Sequence, residues 1–140
     1  MFGGEYKHNL DAKNRIFIPA KLREELENSL VIVKDLRESC LKVYSPEGWE
    51  EYLKPIRQQN RRLQEKVMRF LNSSMAQLTP DSQGRITLPR ELVEYAEIEK
   101  NAVVVGCSDY AEIWAEVNYQ TMVDSVDDEA LRRALEECGL

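Results

Sequence analysis

Two stretches place an aspartate four residues ahead of an arginine, with a turn-forming residue between them. They are Asp11-Ala12-Lys13-Asn14-Arg15-Ile16-Phe17-Ile18-Pro19 and Asp81-Ser82-Gln83-Gly84-Arg85-Ile86-Thr87-Leu88-Pro89. The chemistry such a string can do is binding. An aspartate at the head of a turn accepts hydrogen bonds from backbone N–H groups two residues on. Asn14 and Gly84 are residue types that tolerate a positive φ. An arginine at the rigid start of a strand can fork onto phosphate oxygens or a guanine edge. The plainer alternative is a β-turn whose Asp and Arg form a local, solvated ion pair, and spacing alone leaves both open. Lys7, Lys13, Lys21 and Arg23 flank the first string. The second holds Gln83 and runs into an acidic helix. The first turn, led by Arg15 and Lys13, is therefore the expected contact for a polyanion. The second, with Arg85 as the matching arginine, is expected mainly to complete the fold.

Other chemistry finds little support. His8 is the sole histidine, and it has no nucleophile motif around it to make a triad. Cys40, Cys107 and Cys138 are far apart and form no CxxC pair, so neither a disulfide framework nor a zinc site is expected. Neither a glycine-rich phosphate loop nor a nucleophile elbow occurs, so no enzyme activity, cofactor or metal is expected. The acids Asp124, Asp127, Asp128 and Glu129 suit a helix N-terminus better than a cation site. Trp49 and Trp114 read as core or helix-packing residues, with an oligomer interface as the alternative. Lys54, Arg57, Arg61, Arg62, Lys66 and Arg69 form a basic helix with the single acid Glu65. It is a solvated face, a partner for the acidic C-terminal segment, or a phosphate contact.

The elements that must position the two strings are themselves duplicated. At an offset of 70, half the chain, residues 11–24 and 81–94 share Asp, Arg, Ile, Pro, Leu and Glu. The apolar run Leu30-Val31-Ile32-Val33 matches Ala102-Val103-Val104-Val105 with a shift of two. Val43-Tyr44 matches Ile113-Trp114, and Trp49 falls opposite Tyr119. In each copy the turn leads into a strand with period-2 alternation. Ile16 and Ile18 oppose Arg15 and Phe17, and Ile86 and Leu88 oppose Arg85 and Thr87. A proline at N1 then opens a short helix, near Pro19–Glu27 and Pro89–Glu97. Strands follow near 30–34 and 40–45, and near 102–106 and 111–116. Ser45-Pro46 starts a helix that Pro55 is expected to break. A longer helix over 56–72 would have Ile56, Leu63, Val67, Phe70 and Leu71 on one side, with a C-terminal counterpart from Asp127 to Cys138. Neither copy buries enough apolar surface alone. The two are expected to pair about a pseudo-twofold axis into one α+β unit, a small barrel-like sheet with peripheral helices. The expected organisation is 1–54, a linking helix over 55–76, and 77–140.

Length and charge agree with this. The 140 residues are 43% hydrophobic and 31% charged, enough for one globular core. No stretch is long and apolar enough for a membrane span. The start lacks a signal-peptide pattern, so a cytoplasmic protein is expected. The net charge of −6 hides an asymmetry: residues 1–90 carry 16 basic and 12 acidic side chains, residues 91–140 carry 3 and 13. Any polyanion site should lie in the first part.

The string Met1-Phe2-Gly3-Gly4-Glu5-Tyr6-Lys7-His8-Asn9-Leu10-Asp11 through Arg23 closely resembles the start of the MraZ family of bacterial transcriptional regulators. Asp81…Arg85-Ile86…Pro89 and Glu112-Ile113-Trp114 extend the resemblance over nearly the whole chain. It implies two AbrB-like repeats folded as a swapped-hairpin barrel and assembled into ring-shaped oligomers on double-stranded DNA. It also implies nucleoid association and binding to short direct repeats in the promoter of the division and cell-wall gene cluster, with Arg15 at the DNA. Asn14 stands where the family usually has glycine. A different class of function, an oligomeric scaffold without specific DNA binding, would use the acidic residues 91–140 as its surface.

Overall fold

The computed structural model describes residues 1–26 and 28–140. Glu27, the expected end of the first short helix, lies outside them. The elements run β1 (Glu5–Asn9), β2 (Arg15–Phe17), α1 (Ala20–Leu26), β3 (Leu30–Lys34), β4 (Leu41–Tyr44), α2 (Pro46–Arg57) and α3 (Arg61–Ser73). A second series follows: β5 (Ala76–Leu78), β6 (Arg85–Thr87), α4 (Arg90–Tyr95), β7 (Asn101–Gly106), β8 (Ala111–Ala115), α5 (Glu116–Asp124) and α6 (Asp128–Glu137). The chain is thus a mixed α+β protein in which the same seven elements occur twice.

The halves are interwoven. The main sheet is antiparallel with strand order β1-β7-β8-β4-β3-β5, and β2 pairs with β6 in a separate ribbon. Replacing each strand by its counterpart reverses the order into itself. β1 of the first half hydrogen-bonds β7 of the second, and β5 of the second hydrogen-bonds β3 of the first. At the centre Lys42 lies opposite Glu112, a favourable cross-strand pair of opposite charge. One core follows from this weave. Leu30, Ile32, Leu41 and Val43 pack with Ala102, Val104, Ala111 and Ile113, and the ribbon's Ile16 and Ile86 close over them.

Strand β3 is buried along nearly its whole length because both of its faces are covered. Leu30 and Ile32 face the shared core. Val31 and Val33 face a second cluster made by Tyr44, Trp49 and Leu53, with Leu71 of α3. Trp49 and Trp114 are both buried, in keeping with packing roles.

Several boundaries differ from expectation. Pro55 does not end its segment, because α2 runs through it to Arg57. The break comes at residues 58–60, where Asn60 caps α3 by accepting from the Leu63 N–H at 2.9 Å. The expected 56–72 helix is therefore split: Ile56 sits on α2, and Leu63 and Phe70 of α3 are exposed rather than packed. Pro19 and Pro89 precede their helices instead of occupying N1, and the Pro19 carbonyl accepts from the Arg23 N–H at 3.0 Å. The second helix stops at Tyr95, and Glu97 beyond it has φ 58°. Strands β1 and β5 and helix α5 were not anticipated. Asp127 does cap α6, accepting from the Glu129 N–H at 3.1 Å.

Candidate nucleic-acid interface

The first turn is organised by one carboxylate. Asp11 Oδ1 accepts from the backbone N–H of Lys13 at 2.9 Å and of Arg15 at 2.8 Å. Its Oδ2 accepts from Arg15 Nε at 2.7 Å. The Asn14 N–H closes the turn onto the Asp11 carbonyl at 3.0 Å. The second turn repeats the set. Asp81 accepts from the N–H groups of Gln83 and Arg85, and from Arg85 Nε, all at 2.9 Å. Both carboxyls are held below the usual carboxylate range, chiefly by the arginine's backbone N–H, with the guanidinium adding to it. The local ion pair is therefore real. It also aims the arginine: Nε donates to the aspartate, so the pair fixes one edge of the guanidinium and leaves the remaining N–H groups outside that ion pair. Arg15 keeps 30% of its side chain exposed, against 20% for Arg85.

Antiparallel pairing of β2 with β6 joins the two turns. Arg15 stands opposite Thr87, and Phe17 opposite Arg85. The Leu88 N–H donates to the Asn14 carbonyl at 2.8 Å, and the Ile18 N–H to the Gly84 carbonyl at 2.9 Å. The turns thus sit at opposite ends of a short ribbon, about 13 Å apart at roughly 3.3 Å per residue. Its outward side chains are Arg15, Phe17, Arg85 and Thr87, with Ile16 and Ile86 pointing into the core.

The duplication also appears when the chain is compared with known proteins. The model of a family described as "MraZ protein, putative antitoxin-like" matches residues 1–72 and again residues 73–138. The chain belongs to the MraZ family. A protein of Halothermothrix orenii named "Transcriptional regulator MraZ" is 38% identical over the whole of both chains. One of Clostridium acetobutylicum with the same name is 40% identical, again over the whole of both. A third, from Moorella thermoacetica, is 40% identical over 92% of this chain and 91% of its own.

In this MraZ chain the expected site residues fall into three groups. Lys13, Asn14 and Arg15 form the first turn, and Lys13 is exposed. Asn14 adopts φ 59° and Gly84 φ 80°, so both turns have the backbone that their residue types favour. Arg23 does not flank the first turn. Its Nε donates to the Ile18 carbonyl at 3.0 Å, and its guanidinium covers Gly84 of the second. The antiparallel ribbon causes this, because it brings α1 against the second repeat's turn. Lys21 is exposed on α1. Lys7 reaches toward Glu116 of α5 at 3.5 Å, on the other side of β1 from the ribbon. His8, its neighbour in the strand, is the residue that meets Phe17, with ring centroids 6.1 Å apart.

Sequence reasoning missed Phe17 as a member of this surface. It is 45% exposed, and the Arg85 guanidinium lies 5.9 Å from its ring centroid. The signal was present, since alternation had already put Phe17 on the face of Arg15.

The second turn yields a stability prediction. A Cβ on Gly84 would lie 2.5 Å from an Arg23 guanidinium nitrogen, in a backbone conformation that costs a non-glycine residue about 1–2 kcal/mol. Gly84→Ala is expected to lower stability by about that amount in urea unfolding, whereas Asn14→Gly is expected to be close to neutral. An alanine variant as stable as its parent would show that the turn relaxes freely.

Proposed function

We propose that this protein is a sequence-specific, DNA-binding transcriptional regulator that acts as a ring-like homo-oligomer on short direct repeats. The observation that carries this reading is the pair of identically built Asp–Arg turns on one exposed ribbon. A two-stranded ribbon fits the major groove. Arg15, aimed by Asp11, supplies a planar fork, while Asp11 offsets its charge. Its part is therefore hydrogen-bond recognition more than bulk attraction. Lys13, Lys21 and Arg23 supply phosphate contacts, with Arg85 at the margin, and Asn14, Gly84 and Asp81 shape the turns, whereas Lys7, turned toward Glu116 on the far side of β1, does not join them. The names of the relatives support transcriptional control. The resemblance adds the promoter of the division and cell-wall gene cluster as target, and a cytoplasmic, nucleoid-associated setting. The same reading treats residues 1–54 and 77–140, linked by 55–76, as AbrB-like repeats closed into a swapped-hairpin barrel about a pseudo-twofold axis. The palindromic strand order favours that geometry. No helix among the described residues is long and apolar enough to cross a membrane.

The test is binding to a fragment of the DNA upstream of the protein's own gene, titrated over salt. Each phosphate contact contributes a log–log slope of about −0.9. Binding should weaken steeply as salt rises, and a scrambled fragment should bind far less tightly. Affinity that is flat with salt, or equal on both fragments, would rule the reading out.

A further inference from the structure

Helix α6 is amphipathic, yet every one of its residues is exposed. Leu131 and Leu135 retain 53% and 45% of their accessible surface. With Ala134 and Cys138 they fall on one stripe at helical spacing. At 100° per residue, Asp128 and Glu137 border that stripe on its two sides. An isolated ten-residue helix is marginal in water, so this stripe calls for a cover. Its counterpart α3 has one: α3 packs on β3 and α2 and buries Leu71. But α3 also carries a second, outward apolar edge, Leu63 and Phe70, two turns apart and 42% and 62% exposed. Lys66, Arg62 and Arg69 line that edge on its solvent side. None of these three cations has an acidic partner within 4 Å among the described residues, the α3 pair being Arg61 with Glu65.

We infer that the acid-bordered stripe of α6 in one copy docks on the base-bordered Leu63–Phe70 edge of α3 in a second copy. Charge complementarity selects this pairing over the others. Two α6 stripes would oppose acid to acid, and two α3 edges would oppose base to base. The two helices of one chain are kept apart by the fold, because α3 lies over β3 while α5, from which α6 extends, lies over β7 and β8. Arg132 and Arg133 of α6 each lie about 40° further round the helix than Asp128 and Glu137, so the acids stand between them and the stripe. A contact between two different surfaces is head-to-tail, so it repeats until it closes into a ring or runs on as a filament. This rests on the oligomeric part of the reading above, and it names the surfaces that make the oligomer.

Sedimentation of the full chain tests it. Reversing α3 (Lys66→Glu with Arg69→Glu) or α6 (Asp128→Lys with Glu137→Lys) should reduce the multimer to the 16.3 kDa single chain. A chain carrying all four changes should recover the parental mass, because the charges again complement. The inference is overturned if the parent is itself a single chain, if either reversed variant keeps the parental mass, or if the fourfold variant fails to reassemble. The first turn is untouched in all of them. Failure of every chain to bind the upstream fragment would instead count against the DNA reading and leave the mass result standing.

Discussion

Arg15→Ala is expected to abolish specific binding to the upstream fragment while leaving the unfolding midpoint nearly unchanged. A bidentate arginine contact to a base is worth about 1–3 kcal/mol, so each subunit that engages the DNA loses that much. Subunits joined on one duplex multiply their single-site affinities. Two or three engaged turns therefore carry the deficit from roughly tenfold to thousandfold. Stability should hardly move. Arg15's side chain bonds only Asp11, in a pair more than a third exposed on the acid's side. Partly exposed pairs of this kind contribute about 0–1 kcal/mol. The backbone N–H that Arg15 gives to Asp11 survives the substitution. Arg85→Ala should affect DNA less, because Arg85 is more enclosed and lies against Phe17. Gel-shift titration with circular dichroism on the same samples separates the two effects. An Arg15→Ala protein that retards the fragment as its parent does would remove this residue from the interface.

The second large effect is on stability. Ile16 and Ile86 face one another across the ribbon, 0% and 1% exposed. Replacing a buried aliphatic side chain of this size by alanine costs about 2–5 kcal/mol, from lost transfer energy and the cavity left behind. Against a typical total of about 5–15 kcal/mol that is a large fraction. Ile86→Ala should therefore lower the urea midpoint by about 1–2.5 M at an m-value of about 2 kcal/mol/M. The shape of the curve matters as much. Both isoleucines belong to one core fed by both halves, so the variant should still unfold in a single transition at fixed protein concentration. Two resolved steps, with the first half melting after the second, would show that the halves are separate cores.

Much of this was legible in the residues. The offset of 70 between the Asp–Arg strings foretold a doubled element order. The alternation of Arg15, Ile16, Phe17 and Ile18 gave the correct inward and outward faces of β2. What escaped was whatever depends on long-range pairing. β1 and β5 are short edge strands with weak local patterning, recognisable only by the β7 and β3 ladders that they join. Arg23 lies next to the first string in sequence, but the antiparallel ribbon carries it to the second turn. Pro55 looked like a breaker because its missing N–H and ring usually disrupt a helix interior. The packing of Trp49 and Leu53 on the sheet holds α2 together as far as Arg57. Phe70 and Leu63 fitted a core-facing stripe by spacing, yet α3 turns a different set of residues inward.

The exchange of strands between the halves has a consequence for how the two can differ. The first repeat alone would lack the ladders that its partner supplies to β1, β2, β3 and β4, and would have to find another copy from dilute solution. The peptide between α3 and β5 makes that encounter intramolecular, so the fold no longer depends on protein concentration. It also lifts a constraint of self-complementarity. In a pair of identical repeats every residue must suit both roles at once. Here Lys13 is answered by Gln83, Arg23 by Val93 and Lys42 by Glu112. Each half is thereby free to carry side chains that its counterpart lacks.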